Sequence, residues 1–173
     1  MADADLYDTD ILAWSEQQAA VLRALAGRRD LPNELDLSNI VEEIEDLGLS
    51  QLNAVKRFVR LILTHAIKCW ADPEAPSVLH WYDEIGTWQA DLSDRMTASM
   101  RRKLDMDALW KQATRQAVMS LRANDRLAQM GVVQLELANR ACPVTVDDLS
   151  ADPADLVVRL AAGLRGADQA DRG

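Results

Sequence analysis

Apolar residues recur at steps of three and four along nearly the whole chain, which is the spacing of amphipathic helices. The first such segment runs from about Asp5 to Ala26, and Gly27 favours its end. The second begins near Asp36, a good N-cap residue, and continues to about Trp70, which is long for a globular helix. Gly48 leaves two alternatives open, because it either bends this helix or lets another helix approach closely.

Two further periodic segments follow, from about 77 to 104 and from about 105 to 130, and Gly131 is the predicted end of the second. The next stretch, "VVQLELANRACPV", is compatible with a helical turn or with an extended chain. A capping box of Thr145 with Asp148 then predicts the first of two short helical pieces.

The pattern therefore predicts an all-α fold, a bundle of about four main helices followed by short C-terminal helices. A chain of 173 residues suits one domain with a sizeable core. We expect a single helical domain over residues 5–165. Residues 1–4 and 166–173 are predicted to be flexible ends.

The formal net charge of −9 argues against nucleic acid as a partner, because nucleic acid is bound mainly by lysine and arginine. The bases cluster only mildly, at residues 56–60 and 101–103, on what the pattern predicts to be solvated helix faces. A protein partner of positive charge fits the acidity better. A homo-oligomer is also compatible with the sequence.

Cellular location follows from the cysteines and the apolar runs. Cys69 and Cys142 form no CxxC pair, so a zinc ribbon or dithiol redox motif is excluded. The N-terminal residues lack the basic and apolar regions of a secretory signal. The most apolar stretch, "FVRLILTHAIKCW", is too short to span a bilayer. We therefore expect a cytoplasmic protein that is not inserted in a membrane.

Four acids stand out within "NIVEEIEDLG", residues 39–48. On a projection of about 100° per residue, we place Ile44 at the middle of the buried face. Glu42 and Asp46 then face water on the far side. Glu43 and Glu45 lie at the two edges of the buried face. The four acids thus point to different sides of the helix, which favours a structural role over a site where their carboxylates meet. In that role, acids in the first turns complement the helix dipole.

An enzymatic alternative uses Glu43, Asp46 and His65 for metal-dependent or acid–base chemistry. Glu43 and His65 are 22 residues apart, about 33 Å along a straight helix, so they meet only if the chain folds back or a second molecule contributes. No Glu-x-x-His, HExxH, GxSxG or glycine-rich phosphate loop is present, so we predict no metal and no cofactor, and the sequence leaves the catalytic residues unknown. Lys68 is either a lysine of lowered pKa or one that extends its amine to water.

Four stretches, taken in order, resemble a bacterial family known as domain of unknown function DUF29: "LYDTDILAWSEQQAAVLRA", "LDLSNIVEEIEDLG", "RLILTHAIKCW" and "CPVTVDDL". The resemblance covers about Leu6 to Leu149 and implies a helical fold without implying a reaction. It also implies that the polar positions of the family, which we take as the candidate binding residues, are here Glu42, Glu43, Glu45, Asp46, His65 and Lys68.

Three functions remain from the sequence. The first is a non-enzymatic protein-interaction module, favoured by the helical pattern and the missing catalytic motifs. The second is the enzyme built on Glu43, Asp46 and His65. The third is an acidic mimic of nucleic acid, which would need its acids along one face.

Overall fold

The computed structural model describes residues 2–28, 30–137 and 140–170. Within these ranges the chain is helical and contains no strand, which confirms the predicted all-α class. The α-helices are α1 (Ala2–Thr9), α2 (Ile11–Leu25), α3 (Leu37–Ala71), α4 (Val78–Arg95), α5 (Ala98–Arg102), α6 (Met106–Ala123), α7 (Leu127–Leu137) and α8 (Pro153–Ala170), and a 3₁₀ turn covers Asp147–Ser150. No helix among these residues has the length and apolarity needed to cross a bilayer.

The chain forms two compact units. The first comprises the described residues up to Val55 together with Arg95–Leu104, and the second comprises Lys56–Asp94 together with the described residues from Asp105 onward. Helix α3 supplies residues to both units, and a single domain over residues 5–165 stays our prediction. Of the predicted flexible ends, residues 1 and 171–173 lie outside the described part of the chain.

In the first unit, Asp10 divides the predicted first helix into α1 and α2. Its backbone has φ −151° and ψ 79°, outside the helical region, and its carboxylate caps α2 by accepting a hydrogen bond from the Ala13 amide at 3.2 Å. The same carboxylate accepts hydrogen bonds from the Thr97 hydroxyl at 2.9 Å and from the Ser99 amide at 2.9 Å. The prediction of one continuous helix was wrong because these partners stabilise a break.

Gly48 lies on the buried face of an unbroken α3. A Cβ atom at this position would overlap the Ser15 hydroxyl and lie 3.1 Å from Leu12 Cδ1, and both of these side chains are buried on α2. Gly48 is therefore a packing contact and not a bend. Helix α3 begins as predicted, with Asp36 accepting a hydrogen bond from the Asn39 amide at 3.2 Å.

The second unit has an aliphatic core around one large aromatic ring. Its fully buried members include Ile62, Leu63, Ile67, Ile85, Trp110, Leu121, Leu156 and Leu160. Asp105 caps α6 as predicted, by accepting a hydrogen bond from the Ala108 amide at 2.9 Å. The predicted capping box is also present, since the Thr145 amide donates to Asp148 at 2.8 Å and the Asp148 amide donates to the Thr145 hydroxyl at 3.4 Å.

The predicted segment of residues 105–130 is two helices. Helix α6 ends near Asp125, whose φ of 56° lies in the left-handed region that aspartate tolerates better than most residues. The Arg126 amide returns to the Leu121 carbonyl at 2.9 Å, and the chain then starts α7. Gly131 lies inside α7, so its prediction as a helix end was wrong. The residues 77–104 likewise divide, and Thr97 caps the short α5.

Candidate functional site

The acidic stretch at the start of α3 is solvent-facing, with one exception. Glu42, Glu43 and Asp46 are exposed, whereas Glu45 is half-buried and pairs with Arg23 of α2. The buried face is centred on the positions Val41, Gly48, Leu52 and Val55. Our placement of Ile44 at its middle was wrong by about 50°, which moves Glu43 from the edge of the face into water.

A shallow cavity of about 380 Å³ in the first unit includes two of these acids. Glu42 and Glu45 lie on its wall together with Leu37 and Val41, and Arg23 lies there too. Because Arg23 already neutralises Glu45, this wall does not present the paired free carboxylates that a cation site requires. The described residues contain no group of three or more histidine, cysteine, aspartate or glutamate side chains able to hold a metal ion.

His65 belongs to a second cluster, which is partly buried between α3 and α4. Its Nδ1 lies 3.1 Å from the Leu61 carbonyl oxygen, one turn earlier on α3. Its Nε2 lies 3.1 Å from the Glu84 carboxylate of α4, and its ring packs edge-on against Trp88 with centroids 4.7 Å apart. His80 stands at the rim, 3.6 Å from the same carboxylate, with its side chain 70% exposed.

Lys68 completes this cluster one turn after His65. It is only 7% exposed, and its amine lies 3.4 Å from His65 Nε2 and 4.1 Å from the centre of the Trp81 ring. The lysine therefore does not extend to water, which was one of the two outcomes that the sequence left open. Lys68, His65, Glu84 and Trp81 are called the lysine cluster below.

The surroundings of the lysine cluster disfavour a positive charge on both Lys68 and His65. Burial lowers the pKa of Lys68, although the Glu84 carboxylate acts in the opposite sense. Burial also lowers the pKa of His65, and the neighbouring Lys68 cation lowers it further, while its backbone hydrogen bond and Glu84 raise it. The protein thus disfavours the state in which both side chains are protonated.

The partners of the two ring nitrogens of His65 favour one tautomer of the neutral ring. Because Nδ1 of His65 faces a carbonyl oxygen, it carries a hydrogen, and Nε2 of the neutral ring is then an acceptor. The neutral Nε2 accepts a hydrogen bond from the Lys68 ammonium, 3.4 Å away; once protonated, Nε2 donates to the Glu84 carboxylate, 3.1 Å away. Either arrangement leaves one cation and one anion, so a proton can move from Lys68 to His65 without changing the net charge.

A small cavity of about 280 Å³ opens beside Lys68. Arg126 also lines this cavity, and it donates two hydrogen bonds to the buried Asp72, from Nε at 2.6 Å and from Nη2 at 2.7 Å. This bidentate pair fixes the guanidinium in position. The cavity is also lined by Ser77, Trp81 and Asn124.

Sequence comparison agrees with this helical arrangement. The sequence model of the family described as Domain of unknown function DUF29 matches residues 6–151. The chain belongs to the DUF29 family. No curated protein matches it significantly. The crystal structure of an alpha-helical protein of unknown function from Rhodospirillum rubrum is similar, with 33% identity and a TM-score of 0.75 over 89% of this chain and 96% of that one.

Sequence reasoning had found only part of the lysine cluster in this DUF29 protein. The structure brings His65 and Lys68 together, whereas the four candidate acids at residues 42–46 lie in the first unit. The sequence analysis did not name Glu84 or Arg126 as candidate site residues. The one signal for Glu84 was its spacing of four residues from His80, which places both on one helix face.

A second surface of the DUF29 chain lies between α6 and α7. This α6–α7 groove has a volume of about 440 Å³ and is lined by Lys111, Thr114, Arg115, Val118, Met119 and Gln134. Met119 is 71% exposed, more than the other apolar residue of this lining, Val118. Arg115 Nε donates to the Lys111 carbonyl at 3.2 Å, and no described carboxylate forms an ion pair with either cation.

Proposed function

We propose that this DUF29 protein is a protein-interaction module whose α6–α7 groove binds an acidic amphipathic helix of another protein. The observation that carries the proposal is the combination along one groove of exposed Met119 with Lys111 and Arg115, two cations that form no ion pair with a described carboxylate. Helix-in-groove recognition uses apolar anchors on one face of the bound helix. Acidic residues flanking those anchors would reach the two cations.

The charge distribution favours an acidic partner at this site. The chain carries a net charge of −9, yet the described lining of the groove includes two cations, Lys111 and Arg115, and no acidic side chain. The sequence suggested a basic partner because it showed only the total charge. The local charge at the groove is opposite in sign, and local complementarity governs the register and the rate of association.

Site-specific photo-crosslinking in the cells that make the protein tests this proposal. A photoreactive amino acid replaces Met119 in one variant, and in the matched control it replaces Val158, an exposed apolar residue of α8. We expect a crosslinked protein from position 119 and not from 158, with an acidic helix at the attachment point. Replacing both Lys111 and Arg115 by glutamate should abolish that product.

Two results would contradict the interaction proposal. One is the absence of a position-specific product at Met119. The other is a product that persists when the two cations are reversed, because its formation would then not depend on charge complementarity.

Acid–base chemistry is the second candidate, and one observation favours it: His65 lies within hydrogen-bond distance of both Lys68 and Glu84. Of the trio first considered, Glu43 and Asp46 belong to the first unit and precede His65 on an unbroken α3. The chain therefore does not fold back at Gly48 to join them. The nucleic-acid mimic ranks third, because the acids fan around α3.

A further inference from the structure

The lysine cluster has the composition of an activated nucleophile. An amine becomes nucleophilic when a base stands beside it and when its surroundings disfavour the ammonium form. Lys68 has both, since His65 Nε2 lies 3.4 Å away and the side chain is only 7% exposed. The Trp81 ring, 4.1 Å from the amine, acts in the opposite sense, because an aromatic face favours the ammonium. Glu84, 3.1 Å from the same Nε2, stabilises the imidazolium that forms when the proton moves.

The cavity beside Lys68 limits what the amine could meet. Its volume of about 280 Å³ is below the roughly 300–1,000 Å³ of pockets for drug-sized ligands, so only a small molecule fits. Arg126 lies on the same cavity, with Nε and Nη2 held by Asp72 and Nη1 outside those two hydrogen bonds. A fixed guanidinium is suited to hold a carboxylate.

We propose that this cavity binds a small carbonyl acid, an aldehyde or ketone that also carries a carboxylate, and that Lys68 forms an imine with it. Arg126 holds the carboxylate, and the carbonyl carbon faces the Lys68 amine. The residues that line this cavity differ from those that line the α6–α7 groove. The imine proposal is therefore independent of the interaction proposal, and either can be refuted without the other.

The step balances without an oxidant or a further reactant. Lys68 passes a proton to His65, and the neutral amine attacks the carbonyl carbon to form a C–N bond as the C=O π bond breaks. One proton of the attacking nitrogen moves to the carbonyl oxygen, which becomes a hydroxyl. His65 then returns its proton to this hydroxyl, which leaves as water while the nitrogen lone pair forms the C=N bond. One ammonium and one carbonyl thus give one protonated imine and one water, with the charge unchanged.

Reductive trapping with glyoxylate and cyanoborohydride at pH 7 tests the proposal on the intact chain. The reagent converts an imine into a stable carboxymethyl-lysine, and peptide mass spectrometry measures it at each of the chain's four lysines: Lys56, Lys68, Lys103 and Lys111. We expect Lys68 to react fastest although it is buried, and exposed Lys111 is the internal control. A rate at Lys68 no higher than that at Lys111 in the folded protein would overturn the proposal without any variant.

Two variants assign the roles of the neighbouring residues. His65→Gln should slow labelling of Lys68 by about a hundredfold, the usual contribution of a positioned base, and leave Lys111 unchanged. The double change Asp72→Asn with Arg126→Gln removes both charges of the pair but keeps amides that can hydrogen-bond. It should slow labelling by glyoxylate and not by acetaldehyde, which lacks a carboxylate. Unchanged labelling of Lys68 in His65→Gln refutes the base, and equal effects on both aldehydes refute the carboxylate anchor.

Discussion

Replacing Gly48 by alanine should destabilise the protein although alanine is the better helix former. Helix propensity alone would favour Gly48→Ala by about 1 kcal/mol. The added Cβ, however, would overlap the Ser15 hydroxyl, whose hydrogen bond to the Leu12 carbonyl measures 2.9 Å. Turning that hydroxyl away loses about 1 kcal/mol, and overpacking costs about 1–3 kcal/mol. The net expected loss is about 1–3 kcal/mol.

Urea unfolding followed by far-ultraviolet circular dichroism measures this loss. Gly86→Ala is the matched control, because Gly86 lies within α4 and a Cβ there meets no atom within 4 Å. The control should be stabilised by up to about 1 kcal/mol. The same substitution is therefore expected to have opposite signs at the two positions.

Ser15→Ala provides the decisive comparison for Gly48→Ala. Removing the hydroxyl removes the overlapping atom, but Ser15 Cβ would still lie 3.1 Å from the new Cβ. We expect Gly48→Ala to cost less in the Ser15→Ala background than in the wild-type protein. If Gly48→Ala is as stable as the wild type, or costs the same in both backgrounds, our conclusion that Gly48 is a packing contact is wrong.

Three shorter predictions concern other parts of the fold. Gly163→Ala should lower the urea midpoint and Gly166→Ala should not, because only a Cβ at Gly163 approaches backbone, 2.5 Å from the Pro143 carbonyl oxygen. Burial raises the pKa of Asp10, but the hydrogen bonds that its carboxylate accepts outweigh burial and leave the pKa lowered. The stabilisation of the fold by this carboxylate is therefore complete above about pH 4 and is lost below it. Below about pH 4, the melting temperature of Asp10→Asn should fall less steeply on acidification than that of the wild type. Burial raises the pKa of Cys69 to about 12, so iodoacetamide at pH 8 should modify it only after unfolding, and rapid reaction of the folded protein would contradict this.

Local signals predicted the parts of the fold that local contacts determine. The caps at Asp36 and Asp105 and the box of Thr145 with Asp148 each join residues three apart, so their chemistry is visible in a short stretch of sequence. The length of α3 followed from its unbroken apolar period. Each of these features depends on no distant part of the chain.

The features that the sequence did not reveal depend on distant partners. Asp10 breaks the first helix because of donors on residues 97–99, nearly ninety residues away. Glu84 meets His65 only because α4 packs beside α3, and periodicity does not state which helix faces meet. Arg126 lines a cavity and pairs with Asp72, and no local signal in the sequence joins these two residues, which are 54 positions apart.

The order in which a ribosome makes this chain differs from the order in which the first unit can close. That unit needs the residues up to Val55 and also Arg95–Leu104. At about 5–20 residues per second, roughly 2–9 s pass between the synthesis of Val55 and that of Ser99. During this interval the Asp10 carboxylate has its local cap but lacks the donors of Thr97 and Ser99. The break between α1 and α2 thus gains its full set of hydrogen bonds only after the later segment has been made, and until then the nascent chain is free to extend one helix across it.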